Sequence, residues 1–269
     1  MAGFALIIMP DAEDAEAAQV FVDGTIDDRP YRFLLDTGAA RTSVQVDAYT
    51  STFGSVGTSS SSGLFAPVHA ALITVPRIEL GPIVKQHVPV ARVSPIGSDF
   101  GNLIGMDLLQ DVCCHFLFDE HRVVVDPVEE PDVAATQTLF LDRVGHPYVE
   151  VQFDDVMAQA VWDSGAGITV ADLNFISQHP ASFRHAGQSR GTDATGATRE
   201  TPMFAMAATT IGSKGFPPHT VAGVDLAPVN ATIDAPMDLI LGYSTLSRAN
   251  WWFDFPRRRW AVTKVLDGA

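Results

Sequence analysis

Residues Phe21 to Val44 read FVDGTIDDRPYRFLLDTGAARTSV, and residues Tyr148 to Val170 read YVEVQFDDVMAQAVWDSGAGITV. Each stretch alternates apolar and polar side chains, breaks at an Asp-Asp pair, alternates again and runs into an Asp, a small hydroxyl residue, Gly and Ala. Period-two alternation is the pattern of a half-buried strand, and turn-forming residues between two such runs make a hairpin. The same hairpin is therefore predicted twice, each copy ending in a loop, Asp36-Thr37-Gly38-Ala39 and Asp163-Ser164-Gly165-Ala166. Such a loop places a carboxylate in a tight turn whose backbone amides point back at it. One tripeptide of this kind is an ordinary turn, but two of them 127 positions apart in matching surroundings mark a duplicated unit.

The match continues downstream. Leu103-Ile104-Gly105 lies 69 residues after the first Asp and Ile240-Leu241-Gly242 lies 79 residues after the second, with Gly as the reference point. Aromatic runs follow, Phe116-Leu117-Phe118-Asp119 and Trp251-Trp252-Phe253-Asp254, and each copy closes with a basic turn and a strand. Between the copies, Pro127-Val128-Glu129-Glu130-Pro131-Asp132 suits a linker and not a central strand. Two domains are expected, 1–130 and 131–269. The fold class expected is all-β, with short helices at Asp107 to Val112, Ala171 to Gln178 and Ser244 to Asn250.

Of 269 residues, 46% are hydrophobic and 18% charged, enough apolar surface for a folded core. A formal charge of −15 repels phosphate backbones, so nucleic acid is disfavoured as a partner. The apolar stretches are far shorter than the roughly 20 residues of a spanning helix. The N-terminal run lacks a basic flank and reads as a strand, which favours a cytoplasmic location unless a leader was removed. Cys113 and Cys114 are adjacent, a spacing that strains an intrachain disulfide and offers no zinc geometry, and the eight histidines form no metal-binding pair. No metal and no cofactor are expected.

On the two Asp-Ser/Thr-Gly-Ala loops and the two apolar-apolar-Gly segments, the chain resembles a bilobal aspartic peptidase. Each half is similar to one subunit of a retroviral-type protease, and Ala39 and Ala166 match the retroviral rather than the pepsin pattern. The resemblance implies a monomer in which a single chain imitates a homodimer, with Asp36 and Asp163 as the catalytic pair. Two carboxylates around one water share a proton, as in the aspartic-protease pattern itself, so one acts as base and the other as acid. Thr37 and Ser164 are implied to cross-bond the loops, Gly38 and Gly165 to allow close approach, and Leu103, Ile104, Gly105, Ile240, Leu241 and Gly242 to pack beneath them. Methyl groups at Ala39 and Ala166 cannot donate to the carboxylates, which predicts a pH optimum above that of pepsins. The implied partner is a peptide or protein substrate with hydrophobic residues flanking the cleaved bond.

Two Ser/Gly/Thr-rich stretches are flap candidates, with Gly63, Leu64 and Phe65 at one tip and Thr195 and Gly196 at the other; Met203 is a further groove candidate. The arginine that retroviral proteases carry after the apolar-apolar-Gly is replaced by Met106 and Tyr243, so contacts between the halves must differ locally. Four segments, Phe4 to Met9, Val123 to Asp126, Thr138 to Leu141 and Trp260 to Val265, are expected to interleave as a joint sheet below the Asp pair. Two rival readings stand beside this one. A catalytically silent peptide-binding protein would keep the fold. A serine hydrolase would use Ser189 in Gly187-Gln188-Ser189-Arg190-Gly191, a motif that belongs between a strand and a helix.

Overall fold

The computed structural model describes residues 2–12, 14–62, 67–94, 101–192 and 198–266. The fold is mainly β, as the alternation predicts, and the α-helices among the described residues are four to six residues long. Helices this short are marginal alone and hold only through packing. The expected helices shorten to Met106–Leu109, Leu173–Gln178 and Tyr243–Leu246.

The first Asp-Asp turn joins Ala18–Ile26 to Arg29–Leu35, with Asp27 and Asp28 at φ 48° and 64°. Two successive residues in the left-handed region form the turn whose twist suits a two-residue hairpin, and Asp tolerates that region better than most residues. In the second copy Pro147–Gln152 pairs antiparallel with Met157–Trp162 across Asp154 and Asp155. Leu34 and Leu35 then lie parallel to Leu103 and Ile104, while Val161 and Trp162 lie parallel to Ile240 and Leu241. The short strand beyond each Asp loop, Ser43–Gln45 or Val170–Asp172, pairs antiparallel with that same apolar segment. Each loop is thus enclosed by the segment that follows it about seventy to eighty residues later.

An eight-stranded sheet contains the strands from Ile7 to Ile104, and a ten-stranded sheet those from Phe140 to Leu241. A third, six-stranded sheet takes strands from both ends of the chain. Its middle differs from the expected interleaving. Cys113–Leu117 pairs directly with Ala249–Asp254, so the aromatic runs form the seam, with Phe116 opposite Trp251 and Cys114 opposite Phe253. Gly3–Ala5 lies at one edge on Arg122–Val125, and Gln137–Thr138 at the other on Arg259–Val265. Ile7–Pro10 instead joins the eight-stranded sheet, and Phe140–Leu141 pairs with Pro147–Gln152.

Aromatic bulk explains why the seam forms there. Trp162, which precedes Asp163, is fully buried with ring centroids 4.7 Å from Phe116 and 4.8 Å from Phe253. Tilted and edge contacts at such distances suit the ring quadrupoles and add to the burial of large apolar surfaces. This cluster holds the strand that carries Asp163 against a strand of the first copy. Farther along, Glu16 ties the copies again, pairing with Arg248 at 3.1 Å and accepting from Thr220 N–H at 3.3 Å.

Candidate active site

The two Asp loops meet face to face. Thr37 N–H donates to Ser164 Oγ at 3.2 Å, and Ser164 N–H donates to Thr37 Oγ1 at 3.0 Å. Each hydroxyl in turn donates under the opposite loop, Thr37 to Trp162 O at 2.8 Å and Ser164 to Leu35 O at 2.7 Å. Both side chains are buried, so each bond is made where water cannot replace it. Thr37→Val keeps the shape but strands the Ser164 N–H and the Trp162 carbonyl. We expect it to destabilise the fold by about 1–3 kcal/mol for each group left unpaired. A urea midpoint that falls at unchanged slope would register this, whereas Thr37→Ser should stay near wild type.

The crossed loops bring Asp36 and Asp163 together, near enough for each carboxyl to act on the other. Asp36 is 8% exposed, and Asp163 is partly exposed. The Asp163 Oδ1 atom accepts from Gly165 N–H at 2.8 Å and from Gly38 N–H of the opposite loop at 3.2 Å. Burial lifts both carboxyls above the ordinary range. On Asp36 the charge of Asp163 adds to burial. On Asp163 the rise is held back, most by the Gly165 amide and then by the charge of His146 and the Gly38 amide. A pair of this kind keeps one proton between two carboxyls, which supplies a base and an acid side by side.

The apolar-apolar-Gly segments lie beneath the loops. Asp36 N–H donates to Ile104 O at 2.9 Å and Asp163 N–H to Leu241 O at 3.0 Å. Ala39 and Ala166 close the turns by donating to the Asp carbonyls at 3.2 and 3.3 Å, and their own carbonyls accept from Met106 and Tyr243, both at 2.8 Å. Gly105 and Gly242 let these chains approach: a Cβ would stand 2.7 Å from the Arg41 carbonyl carbon in one case and 2.3 Å from Ile168 O in the other.

Further residues hold the loops. Thr42 and Thr169 each stand six positions after an Asp, and each hydroxyl accepts from the Gly N–H beneath, Gly105 and Gly242, at 3.1 Å. Thr42 Oγ1 donates to Asp107 at 2.7 Å, while Thr169 Oγ1 bonds Thr245 Oγ1 at 2.7 Å, which meets His219 Nε2 at 2.7 Å. Aligning the two copies on their aspartates would have shown both threonines.

Other expected positions fall elsewhere. Gly63, Leu64, Phe65, Thr195 and Gly196 lie outside the described residues, although the hairpin arms beside them are paired up to Ser62↔Pro67 and Thr192↔Thr198. Met203 is buried in an apolar cluster with Tyr148, Val161 and Val170, and so does not line a groove. Ser189 sits within the strand Phe183–Thr192 opposite Thr201. That corrects the nucleophile-elbow reading, because an extended strand does not give the sharp strand-to-helix turn that exposes such a serine. The Cys113 thiol is pushed up to about 12 by burial, with neighbouring carboxylates adding to the effect, which leaves it a poor nucleophile.

Residues 22–108 match the family model described as aspartyl protease. The matched stretch is under half of the chain; it contains Asp36 with its loop and Leu103-Ile104-Gly105, and Asp163 lies beyond it. No curated protein matches the chain. Residues 22–108 are thus similar to aspartyl proteases, and the mainly β architecture is consistent with that fold.

Proposed function

We propose that the protein is an aspartic endopeptidase, the single-chain equivalent of a retropepsin dimer, with lobes 1–130 and 131–269 each supplying one carboxylate. The observation that carries this reading is the pair of reciprocally bonded loops that holds Asp36 and Asp163 together with both carboxyls raised. One carboxylate takes a proton from a water as it attacks the peptide carbonyl, and the other carboxyl stabilises the developing oxyanion by donating to it. The attacking oxygen comes from water, so no acyl-enzyme forms. The paired arms Gly57–Ser62 with Pro67–Leu80 and Phe183–Thr192 with Thr198–Met206 would bound a groove for an extended peptide held by strand-like hydrogen bonds. Hydrophobic residues beside the cleaved bond fit this reading, and the net charge of −15 favours neutral or basic peptides by long-range attraction.

A mixed peptide library incubated across pH 3 to 8 with wild type and with Asp36→Asn tests the proposal. Cleavage that the substitution abolishes supports it. Absence of cleavage by wild type overturns it and leaves a peptide-binding protein of the same fold.

A further inference from the structure

The two Asp loops rest on unlike groups. Under the first, the Thr42 hydroxyl ends on the Asp107 carboxyl; under the second, Thr169 leads through Thr245 to His219. The parallel registers Ser43↔Ala91 and Val170↔Ala222 put Val88 where the second copy has His219. Counting from Gly105 and Gly242 likewise puts Leu108 where the second copy has Thr245. An imidazole and a hydroxyl thus stand in place of two buried apolar side chains, and both are buried themselves. Polar groups so enclosed must find their partners within the protein.

Those partners form a chain with one direction. His219 Nδ1 lies 3.0 Å from Pro217 O, which only accepts, so in the neutral ring Nδ1 carries the proton and Nε2 accepts. The Thr245 hydroxyl donates to Nε2 at 2.7 Å, and the Thr169 hydroxyl donates to Thr245 Oγ1 at 2.7 Å. Thr169 Oγ1 in turn accepts from Gly242 N–H at 3.1 Å. Gly242 stands between Leu241, whose carbonyl accepts from Asp163 N–H, and Tyr243, whose N–H donates to Ala166 O. The chain therefore holds the middle of the segment on which the second Asp loop sits. A charged imidazole would reverse it. Nε2–H would donate to Thr245 and Thr245 to Thr169, leaving the Thr169 proton to face Gly242 O. That oxygen is 3.5 Å away and already accepts from Thr245 and Leu246 N–H at 2.9 and 3.0 Å.

We propose that neutral His219 is a positioning residue that seats the second Asp loop through Thr245 and Thr169, and that its protonation loosens that loop and sets a lower limit to the pH at which the site works. The limit on activity rests on the peptidase reading above; the seating of the loop does not. Among the described residues, the charged groups that act on His219 are Arg248, just beyond the helix Tyr243–Leu246, and Glu16 from the first copy. These two pair with each other at 3.1 Å, and Glu16 also accepts from Thr220 N–H. Burial holds the imidazole below its ordinary range; the Pro217 carbonyl and Glu16 pull it up, and Arg248 pushes it down. As pH falls, the unfolded chain takes this proton first. The stability that His219 contributes is thus full above the ordinary imidazole range and is lost as pH falls from there to the folded midpoint.

Nitrogen-15 NMR of the imidazole and hydrogen exchange of the Gly242 amide read the chain in wild type without any need for turnover. His219 should carry its proton on Nδ1 at neutral pH and titrate below the ordinary midpoint. Gly242 protection should fall as pH is lowered through that midpoint, by about tenfold for each pH unit that separates it from the ordinary value. In His219→Gln, whose side-chain oxygen can accept from Thr245 at any pH, that fall should disappear, while the Gly105 amide, which rests on Thr42 and Asp107, keeps its wild-type profile. In activity, the acid limb of kcat/KM should extend to lower pH in His219→Gln, a relative gain of up to about tenfold one unit below the His219 midpoint. A merely structural role would lower kcat at every pH and leave the limb in place. A ring proton on Nε2, or Gly242 protection that does not follow the His219 titration, overturns the proposal whether or not peptides are cleaved, and both are read on wild type should His219→Gln fail to fold. If no form cleaves any peptide, the peptidase reading fails and the acid limit on activity falls with it, while Gly242 protection still decides the seating of the loop.

Discussion

Asp163→Asn should lower kcat/KM on a cleaved peptide by about 10³-fold or more and, at neutral pH, make the protein more resistant to urea. The loss follows from the shared role proposed for the pair, since Asn can neither take a proton from water nor give one to the oxyanion as a carboxyl does, and positioned acid–base groups are worth about 10² to 10⁴ in rate. The gain follows from burial. Both carboxyls are raised, so each binds its proton more tightly in the folded chain than in the unfolded one. Below the ordinary carboxyl range both states are protonated and the group has no effect on stability. As pH climbs through that range towards the folded value, the unfolded chain loses its proton first and stability falls.

Asn keeps the acceptor that Gly38 and Gly165 use and removes the charge. Urea midpoints for wild type and Asp163→Asn should therefore coincide near pH 3 and separate by pH 7, with the variant the more stable. Asp36→Asn should move stability in the same direction, because burial raises Asp36 as well. Equal stability of wild type and both variants at pH 7 would mean that the pair carries no such penalty.

What the sequence reveals about this arrangement is mostly what short-range chemistry dictates. The Asp27-Asp28 turn, the alternating hairpin strands and the Asp-Thr/Ser-Gly-Ala loops each depend on neighbours within a few residues, and all can be read directly. The seam between Cys113–Leu117 and Ala249–Asp254 cannot, because pairing of remote strands is decided by how their faces pack and not by any local code. The aromatic runs signal buried strands without saying that they bury against each other. Thr42 and Thr169 were within reach by aligning the copies. Ser189 shows the converse, a five-residue pattern with no physical support from the strand in which it lies.

Gly165→Ala should lower activity by about 10²-fold or more and, unlike the Asn variants, also lower stability. A Cβ at Gly165 would stand 2.5 Å from Asp36 Cγ and 2.7 Å from its Oδ1, and one at Gly38 would stand 2.5 Å from Asp163 Oδ2. All three distances are well inside van der Waals contact, and the atoms met are those of the two carboxyls. Each loop is fixed by buried bonds to the other, so the carboxyl must be displaced or the crossed pair must open. Displacement of about 1 Å is worth roughly 10²-fold in rate, and overpacking costs about 1–3 kcal/mol. Gly54→Ala, where a Cβ meets nothing within 4 Å, serves as the control and should match wild type in both measurements. If the Asp36 carboxyl is what the new methyl strikes, Asp36→Ala should relieve most of the stability cost of Gly165→Ala, so the two changes combined should destabilise less than their sum. Additive effects would place the strain elsewhere and show that these glycines do not set the distance between the two aspartates.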